Sequence, residues 1–223
     1  MGDLNADGFE DVFIASSMNF PFRYGVNTVL INNRGKKFLD AEFILGVEPR
    51  RGGRTAKQWF TLDPKGEDRD HTLVKKLNLS HPVTVWGALG TRSCAIFDLD
   101  DDGDLDIVTN EFNDRPMMLI SNLSQKNDIS FLKIKLQGTK SNRDGLGAVV
   151  TVRAGAASYV RVHDGKSGYL SQSSLPLYFG LDGAKTVDAI EVLWPSGQKQ
   201  QIPGPIETNK LRVIREPDAE NKK

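Results

Sequence analysis

One nine-residue, aspartate-rich pattern occurs twice in this chain and constrains it more than any other feature. Asp3-Leu4-Asn5-Ala6-Asp7-Gly8-Phe9-Glu10-Asp11 returns as Asp98-Leu99-Asp100-Asp101-Asp102-Gly103-Asp104-Leu105-Asp106. In both copies side-chain oxygens fall at the first, third, fifth and ninth positions, with glycine at the sixth. Alternate positions let successive oxygens converge on one centre, while the glycine permits the tight reversal this needs. The first copy thus offers Asp3, Asn5, Asp7 and Asp11, and the second Asp98, Asp100, Asp102 and Asp106. At the seventh position Phe9 and Asp104 are expected to contribute backbone carbonyls. A hard cation wanting about six to eight oxygens suits such a loop. Neither loop contains His or Cys, which argues against zinc or copper. An EF-hand would need a bidentate glutamate at the twelfth position, where Ile14 and Thr109 stand. A solvated acidic turn without metal is the bland alternative, and the matched spacing of two copies argues against it.

Each loop leads into a short apolar run, Val12-Phe13-Ile14-Ala15 or Ile107-Val108-Thr109, and then a second one, Thr28–Asn32 or Met117–Ser121. The repeat is therefore a loop–strand–turn–strand unit. Residues 47–93 differ in character. Arg50–Arg54 and Lys65–Asp70 read as loop, Thr72–Leu79 as one or two helical turns, and the stretch as an insertion or a decayed repeat. From about Asn127 the pattern becomes regular alternation, with strands expected at 131–136, 148–153, 159–162, 177–179, 189–194 and 211–214. Gly, Asn and Asp punctuate them, as a sandwich-like domain requires. Phe179 and Trp194 are expected in its core, and 217–223 as a frayed tail.

Lys+Arg and Asp+Glu both total 29, which removes the electrostatic footprint of a nucleic-acid binder or a polybasic membrane anchor. No run reaches the roughly 18 apolar residues of a membrane span. A single cysteine, Cys94, excludes an intrachain disulfide and is expected to behave as a small buried hydrophobe.

The loops resemble the calcium motifs of FG-GAP/VCBS repeats, the blades of integrin-α-like β-propellers. The continuation Asn27–Phe38 is similar to that repeat's usual ending. Leu136–Ala148, Ser167–Ser174, Tyr178-Phe179-Gly180-Leu181 and Trp194-Pro195-Ser196-Gly197 resemble, in order, an ASPIC/UnbV domain. Their pairing is that of the cartilage-acidic-protein-like family. The resemblance implies an all-β chain: an incomplete propeller over 1–126, then a small β-domain over 127–216. It also implies calcium in two sites and an extracellular or periplasmic location. No leader pattern stands at the N-terminus, and the strand that should lead into Asp3 is missing, so the chain is expected to be the C-terminal part of a longer protein.

The function expected from these readings is a non-catalytic binding or adhesion module with structural calcium, recognising a protein or a glycan. Two alternatives stand beside it. His163-Asp164 near Ser167, Ser171, Ser173 and Ser174 invites a hydrolase reading, though no Gly-x-Ser-x-Gly elbow accompanies them. Tyr169, Tyr178 or Trp194 as stacking platforms would suit carbohydrate binding.

Overall fold

A computed structural model describes residues 1–16, 25–112, 114–169, 171–172 and 175–218. The fold is all-β, as expected. β1 (Val12–Ile14), β2 (Thr28–Asn32) and β3 (Phe38–Asp40) form an antiparallel sheet in sequential order. β4 (Ala56–Leu62) pairs with β5 (Val83–Ala88) as a separate antiparallel hairpin, with helix α1 (Thr72–Leu77) in the connection. β6 (Gly90–Phe97), β7 (Asp106–Phe112) and β8 (Met117–Leu119) make a second sequential antiparallel sheet, followed by the short helix α2 (Leu123–Lys126).

The two three-stranded sheets follow one plan. The isolated bridge Gly2↔Asp11 matches Phe97↔Asp106, and Val12↔Leu30 matches Ile107↔Leu119. Their inward faces share a small apolar core of Phe13, Val29, Ala41, Val47 and Ile107. Cys94, half-buried, packs against its edge. No closed barrel forms among the described residues.

The second unit is a sandwich. β9 (Phe131–Gln137), β10 (Val149–Ala154), β11 (Ala157–Val162), the small hairpin β12 (Lys166–Gly168) and β13 (Ser171–Gln172), β14 (Leu177–Gly180), β15 (Thr186–Leu193), β16 (Lys199–Glu207) and β17 (Lys210–Arg215) build it. One sheet runs β11-β10-β15-β16, the other β14-β9-β17. Only β17 against β9 is parallel in the latter. Alternate residues of each strand turn inward, so Val150 and Val152 of β10 and Ile190 and Val192 of β15 face Leu132, Ile134 and Leu136 of β9. Phe179 and Trp194 are buried in this core, and the Trp194 indole N–H donates to Gln200 Oε1 at 2.9 Å.

Three features departed from the sequence pattern. β4 and β5 lie within 47–93 between the stretches read as loop and helix; β4 is exposed at most positions on both faces and so shows no alternation. β16 contains Pro203 and Pro205, which argue against a strand, but it lies at a sheet edge where a missing N–H is tolerated. β6 runs from Gly90, so the strand that leads into the second aspartate loop begins within the stretch 47–93 read as an insertion or decayed repeat. Leu170, Ser173, Ser174 and the tail beyond Asp218 lie outside the described residues.

Candidate metal centre

The two aspartate loops have nearly the same internal hydrogen bonds. Asp11 accepts from Leu4 N at 2.7 Å and from Asn32 N at 2.7 Å; Asp106 accepts from Leu99 N and Ser121 N, both at 2.8 Å. Gly8 N donates to Asp3 Oδ2 at 2.8 Å, as Gly103 N does to Asp98 Oδ2 at 3.0 Å. The fourth residue is left-handed in both, Ala6 at φ 56 and Asp101 at φ 64. The glycines follow at φ 90 and φ 100, a region that penalises any side chain. Each glycine also lies beneath an aromatic ring of the sandwich. A Cβ on Gly8 would come within 2.1 Å of Tyr159 Cε1, and one on Gly103 within 2.2 Å of Phe131 Cε1.

The loops differ in how their carboxylates are used. In the second, oxygens of Asp98, Asp100 and Asp106 all lie within 4.8 Å of one another, the one such group among the described residues. The Asp98 side chain is 2% exposed, yet its Oδ1 has no hydrogen-bond partner. Asp104 is similarly buried; its Oδ2 accepts from Ser124 N at 2.8 Å, and its Oδ1 is also without a partner. Asp102 is engaged elsewhere, accepting from Asp104 N at 3.2 Å and from Ser124 Oγ at 2.6 Å. Loss of surrounding water, together with the Asp102 and Asp106 carboxylates, holds the Asp100 carboxyl above its ordinary range.

In the first loop Asp3, Asp7 and Asp11 form no convergent group, and Asp3 is satisfied on both oxygens. Its Oδ1 accepts from Asp7 N at 3.0 Å, and its Oδ2 from Gly8 N and, across the domain junction, from Gly180 N at 3.1 Å. Asn5 bonds locally to Asp7, and the Phe9 side chain lies at the surface. Burial pushes Asp3 up to about 7 despite the Gly8 hydrogen bond, and Asp11 up to about 6 despite those from Asn32 and Leu4.

The sandwich rests directly on both loops. Lys133 Nζ of β9 contacts Asp98 Oδ2 at 3.0 Å and also pairs with Asp101. Burial draws the Lys133 ammonium down, but its bonds to Asp101 and Asp98 outweigh this and leave it raised. The Tyr178 hydroxyl of β14 donates to the Gly103 carbonyl at 2.9 Å, and its ring stacks on Phe131 with centroids 5.7 Å apart. Burial first, and then the nearby carboxylates, hold that phenol well above its ordinary value, so it remains a donor. On the first loop Asp182 N donates to Ala6 O at 3.2 Å, and Arg161 reaches Gly8 O at 3.3 Å. Sequence reasoning missed Lys133 and Tyr178 as loop partners, because each sits in an ordinary alternating strand with no local sign of its neighbour.

With this geometry in place, the comparison with known families applies to the second unit. Residues 138–221 match the family model described as ASPIC and UnbV. No curated protein matches the chain. The ASPIC/UnbV match takes in nearly all of the sandwich, including β10 to β17. Within it, His163 is 7% exposed and pairs by its backbone with Ala148 and Gly147. Burial pushes its imidazole down, against the opposing effect of its bond to the Asp144 backbone, which favours the neutral ring of a packed residue. Among the serines of the hydrolase reading, Ser173 and Ser174 lie outside the described residues, and Ser171 Oγ approaches Cys94 O at 3.5 Å. Trp194 is in the core, while Tyr169 is 64% exposed. No helix among the described residues is long and apolar enough to cross a membrane.

Proposed function

We propose that this chain is a non-catalytic, calcium-binding interaction module of FG-GAP/VCBS type joined to an ASPIC/UnbV domain and working outside the cell. The observation that carries the reading is Asp98 Oδ1. It is a buried carboxylate oxygen with no donor, on a side chain that converges with Asp100 and Asp106. An unmet buried acceptor costs about 1–3 kcal/mol, and more when charged. A divalent cation would supply the partner and relieve the repulsion among the three carboxylates. All the available donors are oxygens, which suits a hard ion. Asp98, Asp100 and Asp106 would hold it, and the ion's contribution would be to fix the loop. Asp3, Asn5, Asp7 and Asp11, with the Phe9 carbonyl, would form a weaker second site, since Asp3 already accepts three hydrogen bonds. Dissociation constants of about 10⁻⁴–10⁻³ M, usual for extracellular modules, would make these structural ions rather than sensors.

Calorimetric calcium titration of the whole chain and of Asp100→Ala tests this. Asp100 is exposed, so its loss should leave the fold intact. The expected result is loss of the tighter site, at least tenfold in affinity. Absence of any binding heat in the unmodified chain would overturn the proposal, as would unchanged binding by the variant. A second reading, a glycan ligand, is favoured by Tyr169 at the lip of a cleft of about 1100 Å³ between the repeats and the sandwich. Glycan binding that persists in chelator and is lost in Tyr169→Ala would support it.

A further inference from the structure

We infer that cation occupancy of the second loop controls how firmly the ASPIC/UnbV domain is docked on the repeats, and that docking in turn tightens the cation. This inference rests on the calcium reading of that loop. The loop backbone that brings Asp98, Asp100 and Asp106 together is the same backbone that the sandwich grips. Gly103, at φ 100, passes beneath Phe131 with no room for a Cβ, and its carbonyl accepts the Tyr178 hydroxyl. Asp98 itself is shared between the convergent group and Lys133 of β9. Six aspartates lie between Asp98 and Asp106, and Lys133 is the lysine that bonds to two of them. Without a divalent ion their mutual repulsion favours opening of the loop, and opening withdraws the Gly103 carbonyl and the surface under Phe131. With the ion bound, the loop is held in the shape that fits β9 and β14. Two ligands that select the same loop conformation must favour each other's binding by the same factor.

The first loop provides the internal contrast. There the domain junction is closed by a protein donor, Gly180 N on Asp3, and a Cβ at Gly180 would fall 2.1 Å from Asp3 Oδ2. The other oxygen, Asp3 Oδ1, accepts Asp7 N within the loop at 3.0 Å, so this carboxylate is complete without an ion. The second loop leaves Asp98 Oδ1 open. Cation control is therefore expected at the Phe131–Tyr178 junction and not at the Gly180 junction.

Amide hydrogen exchange read by mass spectrometry, with calcium and with EGTA, tests the coupling on the intact chain. Peptides covering 98–106 and 127–137 should exchange about tenfold more slowly with calcium, while strands remote from the loops, such as 199–207, should not change. Calcium titration of Tyr178→Phe, which removes only the hydroxyl donated to Gly103, should show affinity lowered about three- to tenfold, the worth of one hydrogen bond. Calcium binding with no change of exchange at 127–137 would overturn the inference while leaving the calcium reading intact. Unchanged affinity in a folded Tyr178→Phe would do the same. Failure of the unmodified chain to bind calcium at all would remove both.

Discussion

Two buried carboxylates, one in each half of the molecule, are treated in opposite ways. Glu216, at the end of the sandwich, is fully buried and accepts five hydrogen bonds. Its Oε2 takes the backbone N–H groups of Thr139, Lys140 and Ser141 at 2.8, 2.9 and 2.7 Å, and its Oε1 takes the hydroxyls of Ser141 and Ser196 at 2.9 and 2.5 Å. Burial alone would raise this carboxyl; the bonds from Ser196, Ser141 and Thr139 outweigh it and lower the group to about 2. Asp98, equally inaccessible, has one oxygen with no donor. The C-terminal half thus completes its own electrostatics, around a core of Leu132, Val150, Phe179, Ile190 and Trp194 among others. The N-terminal half has a smaller core and an acidic loop that its own atoms leave incomplete. The lesson is that the sandwich should be stable on its own terms, and the repeats conditionally.

The largest test of that contrast is Trp194→Ala, which deletes a fully buried side chain from the sandwich core. It should cost about 3–5 kcal/mol in thermal or urea unfolding, with or without calcium. A loss that disappeared in chelator would break the comparison. Glu216→Ala strips the acceptor from three amides and two hydroxyls and should cost about 1–3 kcal/mol. The unmodified chain carries a pH signature of the same group. Because its folded value lies below the ordinary 4.5, the stabilisation is fully present above about pH 4.5 and is lost as pH falls towards about 2. Acid unfolding curves of the two proteins should therefore converge at the acid end. Removing calcium comes next: moving from a tenfold to hundredfold excess over the dissociation constant to none should cost about 1.4–2.7 kcal/mol, read as a lower Tm. The loss should fall on the repeats and on the junction at Lys133 and Tyr178. Arg34→Ala sharpens the comparison at its smallest scale. It removes a half-exposed ion pair to Asp182 at the first-loop junction, and should lower the Tm least of these changes, by less still at high salt.

Much of the fold was legible because it is written in local periodicity. Strands β9, β10, β11 and β15 were visible as alternation, since one face of each is the drier one, while β14 and β17 were visible as short apolar runs between turn residues. β16 was hidden by Pro203 and Pro205, and β4 by exposure of both its faces. At the candidate site the spacing of Asp98, Asp100 and Asp106 announced a convergent loop, and those three do converge. The same spacing also nominated Asp102, whose carboxylate accepts from Ser124 Oγ and Asp104 N. Ser124 lies beyond β8, and nothing in the loop itself refers to it.

The sequence by itself determined the turn: both copies take the same backbone path, with a left-handed fourth residue and a glycine at φ 90 or φ 100, because short-range backbone sterics need no partner. Which of the two loops keeps an unsatisfied oxygen was decided only in three dimensions. The sandwich donates to Oδ2 in both loops, Gly180 N to Asp3 and Lys133 Nζ to Asp98, and the difference lies at Oδ1, which accepts Asp7 N in the first loop and has no partner in the second. Hydrogen-bond satisfaction of a buried group depends on which donors the folded backbone brings within reach, and residue types alone do not fix that conformation: Asp7 N reaches Asp3, while Asp98 Oδ1 is left without a donor.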